Sequence, residues 1–239
     1  MTKLIYQTDA YLQDFTASVT GAISDQRAVI LDQSAFYPGG GGQPCDFGAL
    51  TVNGIDFPVT KVKKQGDDVL HFLGGEAALP EVGASVRGQI DWSRRHQLMR
   101  THTALHVLCG TVFRDYGALV TGGDMEPLKG RMDFEFERMQ GELVREIEAA
   151  VNREIEAGRD IRVKILPRAE AFQIPDLIRT KINLLPEGIE QVRTVEIVGL
   201  DLQADGGTHV RSTAEVGRVK VTDYKSKGAI NKRIYIEVV

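Results

Sequence analysis

The sequence has few of the features that mark secreted, disulfide-linked or membrane proteins. Cys45 and Cys109 are its only cysteines, too few for a disulfide framework, so the expected compartment is a reducing cytoplasm. Its apolar runs are only a few residues long, which excludes a transmembrane helix. The start, MTKLIYQTDA, lacks the apolar core and small-residue cleavage site of a secretory signal. We therefore expect a cytoplasmic protein with no membrane partner.

Positive charge is not in excess either. The net charge of −4 and the pI near 5.8 argue against a protein that coats nucleic acid nonspecifically, although contacts with an RNA end depend only on local charge. Apolar residues make up 42% of the chain and charged residues 26%. These fractions are typical of a globular protein with one large or two small domains.

Short alternating segments fill the first part of the chain. TASVTGAI, RAVIL, ALTVNGIDFPV and DDVLHFL follow the period of two that predicts strands, and turn residues separate them. Many short strands at close intervals favour an antiparallel barrel or sandwich. We therefore predict a small β-barrel-like domain for residues 1–88, with a boundary in LPEVGASVRGQID.

From Trp92 the apolar period becomes helical, and this first helix should end near Gly117. A second helix is predicted from about Glu135 to Ala157. The strand DIRVKIL, the short helix RAEAFQI and the strands TVEIVGL, GRVKVTDY and RIYIEVV follow. The predicted fold class is α+β, in which residues 89–239 form a second domain with two main helices packed on an antiparallel sheet.

Two histidines on the first predicted helix suggest a metal site. His102 and His106 lie about one helical turn apart, so their imidazoles point the same way. Two neutral imidazoles can supply half of a tetrahedral zinc shell. Taken alone, the pattern favours a simpler interpretation, two hydrogen-bonded histidines on a half-buried helix face.

A second cluster, in ADGGTH, strengthens the metal hypothesis. Asp205 and His209 flank Gly206-Gly207, whose tight turn would let both side chains converge. The alternative is an incidental histidine in a glycine turn. A carboxylate oxygen is an acceptable zinc ligand, although it is harder and more weakly held than a thiolate. Cys109, on nearly the same helix face as His102, is a further candidate, but a small buried side chain is its more common role.

The stretch DQSAFYPGGGGQPCDFG, residues 32–48, is locally unusual. Four consecutive glycines cost backbone entropy, which implies a need for them, such as close approach of backbone N–H groups to a ligand. Gln43 could hydrogen-bond that ligand, and Phe36 and Tyr37 could wall a small pocket. No Lys-Ser/Thr pair follows, so the stretch is not a phosphate-binding P-loop. A flexible hairpin tip is the alternative.

Together these motifs resemble one family. FYPGGGGQPCDFG, DWSRRHQLMRTHTALHVL and DLQADGGTHVRSTAEVG occur in the order found in AlaX-type alanyl-tRNA editing proteins, the free-standing relatives of the editing domain of alanyl-tRNA synthetase. YKSKGAINKRIYIEV, near the end, is similar as well. The resemblance covers most of the chain from about residue 30, and the glycine-rich N-terminal domain is typical of the medium-length type.

The resemblance implies a hydrolase that acts in trans on tRNA(Ala) wrongly charged with serine, and in some members with glycine. Its cofactor is Zn²⁺, held by an HxxxH motif and a Cys-x-x-x-His pair. His102, His106 and His209 match three of these ligands, and Asp205 stands in place of the cysteine. Asp205 is then either a harder fourth ligand or a group beside a three-histidine site with an open position.

Two roles remain open for the implied zinc ion, because it can activate water or bind the amino group of the substrate. No Ser-His-Asp arrangement is evident, so we expect direct hydrolysis. A site that hydrogen-bonds a hydroxyl would distinguish serine from alanine. The candidate substrate-binding residues are Gly40, Gly41, Gly42, Gln43, Asp124 and Thr208. Asp124 lies in VTGGDMEP, predicted to be a loop after the first helix, and is equally compatible with a simple turn residue. Thr208 is equally compatible with a backbone-bonded hydroxyl.

Two clusters of cations are candidates for contacts with tRNA phosphates, which require local positive charge. They are Arg94, Arg95 and Arg100 at the start of the first helix, and Lys225, Lys227, Lys232 and Arg233 near the C-terminus. Each of them alone is more typical of a solvated surface cation. Arg131 and Asp133 also match the family pattern, or form a buried ion pair.

Two other functions compete with the enzyme hypothesis. The first is a noncatalytic tRNA-binding module that no longer binds a metal because aspartate stands at position 205. The second is a metal-dependent hydrolase of small esters or amides.

Overall fold

The computed structural model describes residues 1–180 and 188–239. These residues fall into two compact units, Met1–His96 and Gln97–Val239. The division lies within the first long helix, Trp92–Tyr116. The boundary expected near residue 88 falls inside a strand of the first unit, Ser85–Ile90.

The first unit is built around a closed barrel of six antiparallel strands. The strands of the whole unit are β1 (Lys3–Leu4), β2 (Asp14–Ile23), β3 (Ala28–Leu31), β4 (Gln33–Ser34), β5 (Gly48–Val52), β6 (Ile55–Gln65), β7 (Asp68–Leu73) and β8 (Ser85–Ile90). The barrel closes in the order β2-β3-β7-β6-β5-β8, and β1 and β4 form a separate parallel pair. Short 3₁₀ turns occupy Ile5–Gln7 and Ser24–Gln26. The prediction of an antiparallel barrel is confirmed.

The alternating pattern that predicted the strands also fills the barrel. Along β8 and residues 14–19 of β2 every second side chain is buried, as the period of a strand requires when one face lines a closed interior. Leu31, Phe36 and Leu50 are fully buried within this core. The unit therefore owes its stability to a conventional apolar interior.

An ion pair is buried in the same unit. The fully buried Arg95 donates from Nε to both carboxylate oxygens of Asp46 at 2.9 Å, and its Nη2 also bonds Asp46. The guanidinium further donates to the carbonyls of Ala10 at 2.9 Å and Ala35 at 2.7 Å. Arg95 was expected to contact tRNA, but burial leaves it no surface for a phosphate. We do not carry it forward as a tRNA contact.

The second unit contains the helices and two antiparallel sheets. Its elements are α1 (Trp92–Tyr116, which begins in the first unit), β9 (Val120–Glu126), β10 (Lys129–Glu135), α2 (Gly141–Glu156), β11 (Ile161–Pro167), α3 (Arg168–Ala171), β12 (Gln191–Ile197), β13 (Asp201–Ala204), β14 (Val219–Ser226) and β15 (Asn231–Val238), with a 3₁₀ turn at Thr213–Glu215. One sheet has the order β14-β15-β10-β9 and the other β11-β12-β13.

Both main helices pack against the four-stranded sheet. Gly130 of β10 lies under α1, where an added Cβ would come within 3.1 Å of the methyl groups of Leu105. On α2, the Asn152 side chain donates to the carbonyl of Val219 at 2.8 Å and accepts from its N–H at 2.9 Å. The α+β fold class is confirmed. None of the described helices has the length and apolar character needed to cross a membrane.

Two details of the predicted second domain were wrong. The helix expected from about Glu135 begins at Gly141, because Glu135 is the last residue of strand β10, hydrogen-bonded between β9 and β15, and residues 136–140 connect the strand to the helix. The stretch VTGGDMEP, expected to be a loop, contributes β9. Its two glycines and its polar residues weaken the strand pattern, and pairing with β10 outweighs this weak local preference.

His71 is a buried polar side chain of the barrel. Its Nε2 lies 2.8 Å from the hydroxyl of Ser34, and its Nδ1 lies 3.3 Å from the carbonyl oxygen of Val29. Burial lowers the pKa of His71 to about 4. The folded barrel therefore keeps this imidazole neutral, whereas the unfolded chain protonates it near its ordinary pKa of 6.5.

This difference predicts a pH-dependent stability. The contribution of His71 is fully present above about pH 6.5 and is lost as the pH falls toward 4, since the unfolded state then binds the extra proton. Between pH 7 and pH 5, we expect the free energy of unfolding to fall by about 2 kcal/mol more in the native protein than in His71→Gln. Urea unfolding at both pH values measures this, and equal losses in the two proteins would contradict it.

The buried ion pair predicts a second effect on stability. Asp46→Asn leaves the Arg95 guanidinium buried without its counter-charge, so we expect the free energy of unfolding to fall by about 3–5 kcal/mol. The control is Asp14→Asn, which breaks the exposed pair of Asp14 with Arg87, 3.0 Å apart, and should cost at most about 1 kcal/mol. Denaturant unfolding compares the two variants, and similar losses would show that burial of the Arg95 pair adds nothing.

Candidate metal centre

Four possible metal ligands converge in the second unit. His102, His106, Asp205 and His209 each offer one donor atom, and these atoms lie within 4.8 Å of one another. The ring of His102 stacks on that of His209 with centroids 4.2 Å apart, and the ring of His106 lies 4.6 Å from His209. All three histidines are buried, whereas the side chain of Asp205 is 12% exposed. The two clusters found in the sequence therefore form one group in space.

Local structure explains this convergence. His102 and His106 are one turn apart on α1, as their spacing predicted. The turn after β13 is held by the carboxylate of Asp205, which accepts from the N–H of Gly207 at 2.8 Å. This turn directs His209 toward α1, where its Nδ1 lies 3.2 Å from the hydroxyl of Thr103 and its Nε2 lies 3.0 Å from Asp205. Nε2 is therefore the nitrogen of His209 that faces the group.

Asp205 is also tied to strand β12 through Arg193. The backbone N–H of Asp205 donates to the carbonyl of Arg193 at 3.0 Å, and the Arg193 Nη1 donates back to the carbonyl of Asp205 at 2.9 Å. The same Nη1 lies 3.7 Å from the carboxylate, whose other oxygen lies 3.6 Å from Nε2 of His102. Asp205 is thus fixed by its backbone, with its carboxylate toward the histidines.

The pKa shifts of three of the four residues, His102, Asp205 and His209, suit the binding of a cation. Burial lowers the pKa of His209 to about 4 and the pKa of His102 well below its usual range, so both are neutral and can donate a lone pair. Burial alone would raise the pKa of Asp205, but the neighbouring histidines hold it well below its ordinary value. Burial likewise opposes protonation of His106, but Asp201 and Asp205 outweigh it and raise the pKa of His106.

These donors fit a zinc ion. Ligand atoms of a tetrahedral zinc site lie about 3.4 Å apart, given bonds of about 2.0–2.1 Å, and the four donors here are already gathered within 4.8 Å. Neutral imidazoles and an anionic carboxylate are the forms that bind metal. A ligand set of three nitrogens and one oxygen is harder than a ligand set that includes a thiolate.

Cys109 is not one of the four converging residues. Its Sγ accepts a hydrogen bond from Nε2 of Gln203 at 3.3 Å, and burial raises its pKa, so the sulfur stays a thiol. Only a thiolate binds metal well. Its surroundings agree with the interpretation of Cys109 as a small buried side chain.

Of the other predicted substrate contacts in this unit, Thr208 is buried and directly precedes His209. Asp124 is placed differently. It pairs with Arg131 across β9 and β10, and Arg131 neighbours Gly130, whose missing Cβ points at α1. Alternation therefore puts Asp124 on the sheet face opposite α1, where its side chain is 64% exposed. Asp124 is therefore not proposed as a substrate contact.

The glycine-rich loop is an ordered structure of the first unit. Gly39, Gly40, Gly41 and Gly42 all have positive φ, a backbone conformation that other residues rarely adopt. Gly40 and Gln43 exchange two backbone hydrogen bonds of 2.9 and 3.0 Å, and the hydroxyl of Tyr37 donates to the carbonyl of Gly40 at 2.9 Å. Gln43 is buried. The positive φ values that this loop requires are therefore one reason why four glycines occur in it.

The C-terminal cations differ widely in exposure. Lys232 is buried, and its ammonium donates to the carbonyls of Gly228 and Ala229, so we do not carry it forward as a phosphate contact. Arg233 makes a bidentate pair with Asp133 at 2.6 and 2.7 Å. Asp133 also forms the expected ion pair with Arg131, whose Nη1 lies 3.6 Å from the same carboxylate. Lys225 is exposed and pairs with Asp223, and Lys227 is exposed.

Arg94 and Arg100, the other two candidate phosphate contacts on the first helix, are half-buried. The guanidinium of Arg94 lies 4.2 Å from the ring centre of Phe47, and Nε of Arg100 donates to the carbonyl of Val216 at 2.9 Å.

Sequence reasoning missed several residues around the group, among them Thr103, Arg193 and Asp201. A usable signal existed only for Asp201. In DLQAD the polar residues Asp201, Gln203 and Asp205 alternate, which predicts one polar strand face leading to the candidate ligand Asp205. Nothing in the sequence singles out Thr103 or Arg193, because their roles depend on pairing between distant segments.

Comparison with known proteins identifies the class. A model described as tRNA synthetases class II (A) matches residues 5–94, and one described as threonyl and alanyl tRNA synthetase second additional domain matches residues 192–235. The chain is 40% identical to an alanine–tRNA ligase of Pyrococcus abyssi, over 92% of this chain but only 24% of the ligase. The chain is therefore similar in sequence to one part of a much larger enzyme.

Free-standing relatives match over their whole length. The chain is 37% identical to the alanyl-tRNA editing protein AlaX-M of Methanosarcina acetivorans over 98% of each chain. It is 38% identical to AlaX-M of Saccharolobus solfataricus over 100% of this chain and 99% of the relative. The chain belongs to the AlaX-type family of alanyl-tRNA editing proteins.

The ligand geometry predicts the effect of a change at position 205. Asp205→Cys would place a softer thiolate beside three histidines, so we expect tighter zinc binding, by roughly tenfold or more. Asp205→Ala, which removes the donor, should bind zinc more weakly than the native protein. Competition with a chromophoric chelator measures all three affinities. Equal affinity in the three proteins would show that residue 205 is not a ligand.

Proposed function

We propose that this chain is a zinc-dependent aminoacyl-tRNA deacylase that hydrolyses mischarged tRNA(Ala) in trans in the cytoplasm, chiefly Ser-tRNA(Ala) and also Gly-tRNA(Ala). The observation that carries the proposal is the convergence of His102, His106, His209 and Asp205 in a chain of the AlaX-type family. In this proposal those four residues hold Zn²⁺.

The chain's own residues prepare the site for ester hydrolysis. Burial keeps His102 and His209 neutral, and Thr103 orients His209, so its Nε2 faces the group. Arg193 fixes the backbone that carries Asp205. A bound zinc ion would supply Lewis acidity, either to water or to the substrate's amino group. In the net reaction a water oxygen bonds to the ester carbon, the bond to the ribose oxygen breaks, and that oxygen takes up a proton.

Selectivity for serine requires groups that hydrogen-bond its hydroxyl, since such groups would stay unpaired with alanine. We propose Thr208, Gln43 and the backbone of Gly40, Gly41 and Gly42 as the residues that bind the amino acid. The positions of these residues in the family motifs support this role, and so does the fixed conformation of the glycine-rich loop.

Phosphate contacts in the proposed complex need cations within reach of solvent. Lys225 and Lys227 meet this condition because both are exposed. Arg94, Arg100 and Arg233 remain candidates with part of each guanidinium engaged in the protein. The tRNA partner follows from the family, whose members are described as alanyl-tRNA editing proteins.

A deacylation assay tests the function. Purified protein is incubated with Ser-, Gly- and Ala-tRNA(Ala), with and without a chelator. We expect rapid release of serine, slower release of glycine and little release of alanine, with loss of activity on chelation and recovery on addition of Zn²⁺. Zinc binding without ester cleavage would instead favour a noncatalytic tRNA-binding module. Cleavage of small esters that charged tRNA fails to inhibit would favour an unrelated hydrolase.

A pair of histidine variants tests the metal assignment. His102→Ala should abolish zinc binding and deacylation together. The loss of zinc affinity should exceed the roughly 10–100-fold that is typical when a residue hydrogen-bonded to a metal ligand is removed. The control is His96→Ala, which removes a histidine of the same helix that stacks on Trp92 with ring centres 5.4 Å apart. Activity retained by His102→Ala without bound metal would refute the assignment.

A further inference from the structure

One nitrogen of His106 lies beside a carboxylate that is not among the four candidate ligands. Among the described residues, Nδ1 of His106 is buried and has no partner within hydrogen-bond distance. The polar atom it faces is a carboxylate oxygen of Asp201, 3.6 Å away. This leaves Nε2 of His106 for the group formed with His102, Asp205 and His209.

Asp201 is held firmly in this place. Its side chain is fully buried, and one oxygen accepts from Nε2 of Gln203 at 2.6 Å. The other oxygen lies 3.3 Å from Nε of Arg179 and accepts from it, while the Arg179 guanidinium lies 3.8 Å from the ring centre of Phe113. The carboxylate therefore stays ionised inside the protein, with its charge compensated and its direction fixed.

A glycine makes the approach of Asp201 to α1 possible. Gly110 lies four residues after His106, and a Cβ added there would come within 2.8 Å of the Cβ of Asp201 and 3.1 Å of Leu200. Glycine inside a helix costs about 1 kcal/mol relative to alanine. The helix accepts this cost at the turn where Asp201, the first residue of β13, approaches it.

We propose that Asp201 is a positioning residue for the metal ligand His106, an inference that rests on the proposed zinc-dependent function. In the zinc-bound protein the Asp201 carboxylate accepts a hydrogen bond from Nδ1–H, which fixes the tautomer with a free lone pair on Nε2 and holds the ring toward the other ligands. The negative charge behind the ring also makes Nε2 a stronger donor. Part of the affinity lost by having an oxygen ligand at Asp205 is recovered in this way.

Asp201→Asn tests this role because it keeps the shape and removes the charge. We expect a zinc affinity roughly 10–100-fold lower than in the native protein, measured by competition with a chromophoric chelator. In the zinc-loaded protein, the Nδ1 proton resonance of His106 should also move upfield, since its acceptor is neutral. The matched control is Asp133→Asn, which removes another buried carboxylate paired with an arginine, Arg233, and should leave both readouts unchanged.

Gly110→Ala provides a second variant that retains every charged group. Its new Cβ should displace Asp201 from His106, so we expect zinc affinity to fall by roughly tenfold in a protein with native-like circular dichroism. This variant also decides the question if Asp201→Asn does not fold.

The outcomes separate this inference from the proposed function. If the native protein binds zinc and deacylates Ser-tRNA(Ala), but Asp201→Asn and Gly110→Ala bind zinc within twofold of it, the role of Asp201 is overturned and the function stands. Equal losses in Asp201→Asn and Asp133→Asn would also overturn it, because the effect would then be one of general stability. A native protein that binds no zinc would overturn both proposals.

Discussion

The burial of three imidazoles beside one carboxylate is the constraint on which the candidate site depends. Removing such polar groups from water is unfavourable unless each finds a partner. Here Thr103 contacts His209 and Arg193 bonds the backbone of Asp205, while the carboxylate of Asp201 faces Nδ1 of His106 at 3.6 Å. The second unit must bring α1, β12 and β13 together to satisfy them. Burial also keeps His102 and His209 neutral, which is the form that binds a cation.

Much of this arrangement could be predicted from local patterns. The spacing of His102 and His106 fixes their relation on a helix, and the alternating strands of the first 88 residues imply a barrel. The pairing of the HxxxH motif with Asp205 and His209 needed a different argument, the order of several motifs along the chain. Local spacing alone left the simpler interpretation of His102 and His106 ahead of a metal site.

What could not be predicted depends on contacts between distant residues. Arg95 and Lys232 look like surface cations in the sequence, yet the fold buries both and gives them acceptors. Asp124 lies in a polar, glycine-containing stretch that is compatible with a substrate-binding loop. Strand alternation, however, places its side chain on the sheet face opposite α1. Gly110 is an ordinary glycine in a helix until β13 is seen to pass 2.8 Å from the position of its absent Cβ. In each case a partner remote in sequence decides the role.

The aspartate at position 205 has a consequence for chemical durability. A thiolate ligand is open to oxidation to sulfenic acid and beyond, and each such step removes a metal donor. Carboxylate and imidazole groups do not enter that series. Among the described residues, the four possible ligands include no sulfur, and the nearby Cys109 is a buried thiol whose raised pKa disfavours the reactive anion. A peroxide that disarmed a thiolate-bound centre would find no target among these ligands.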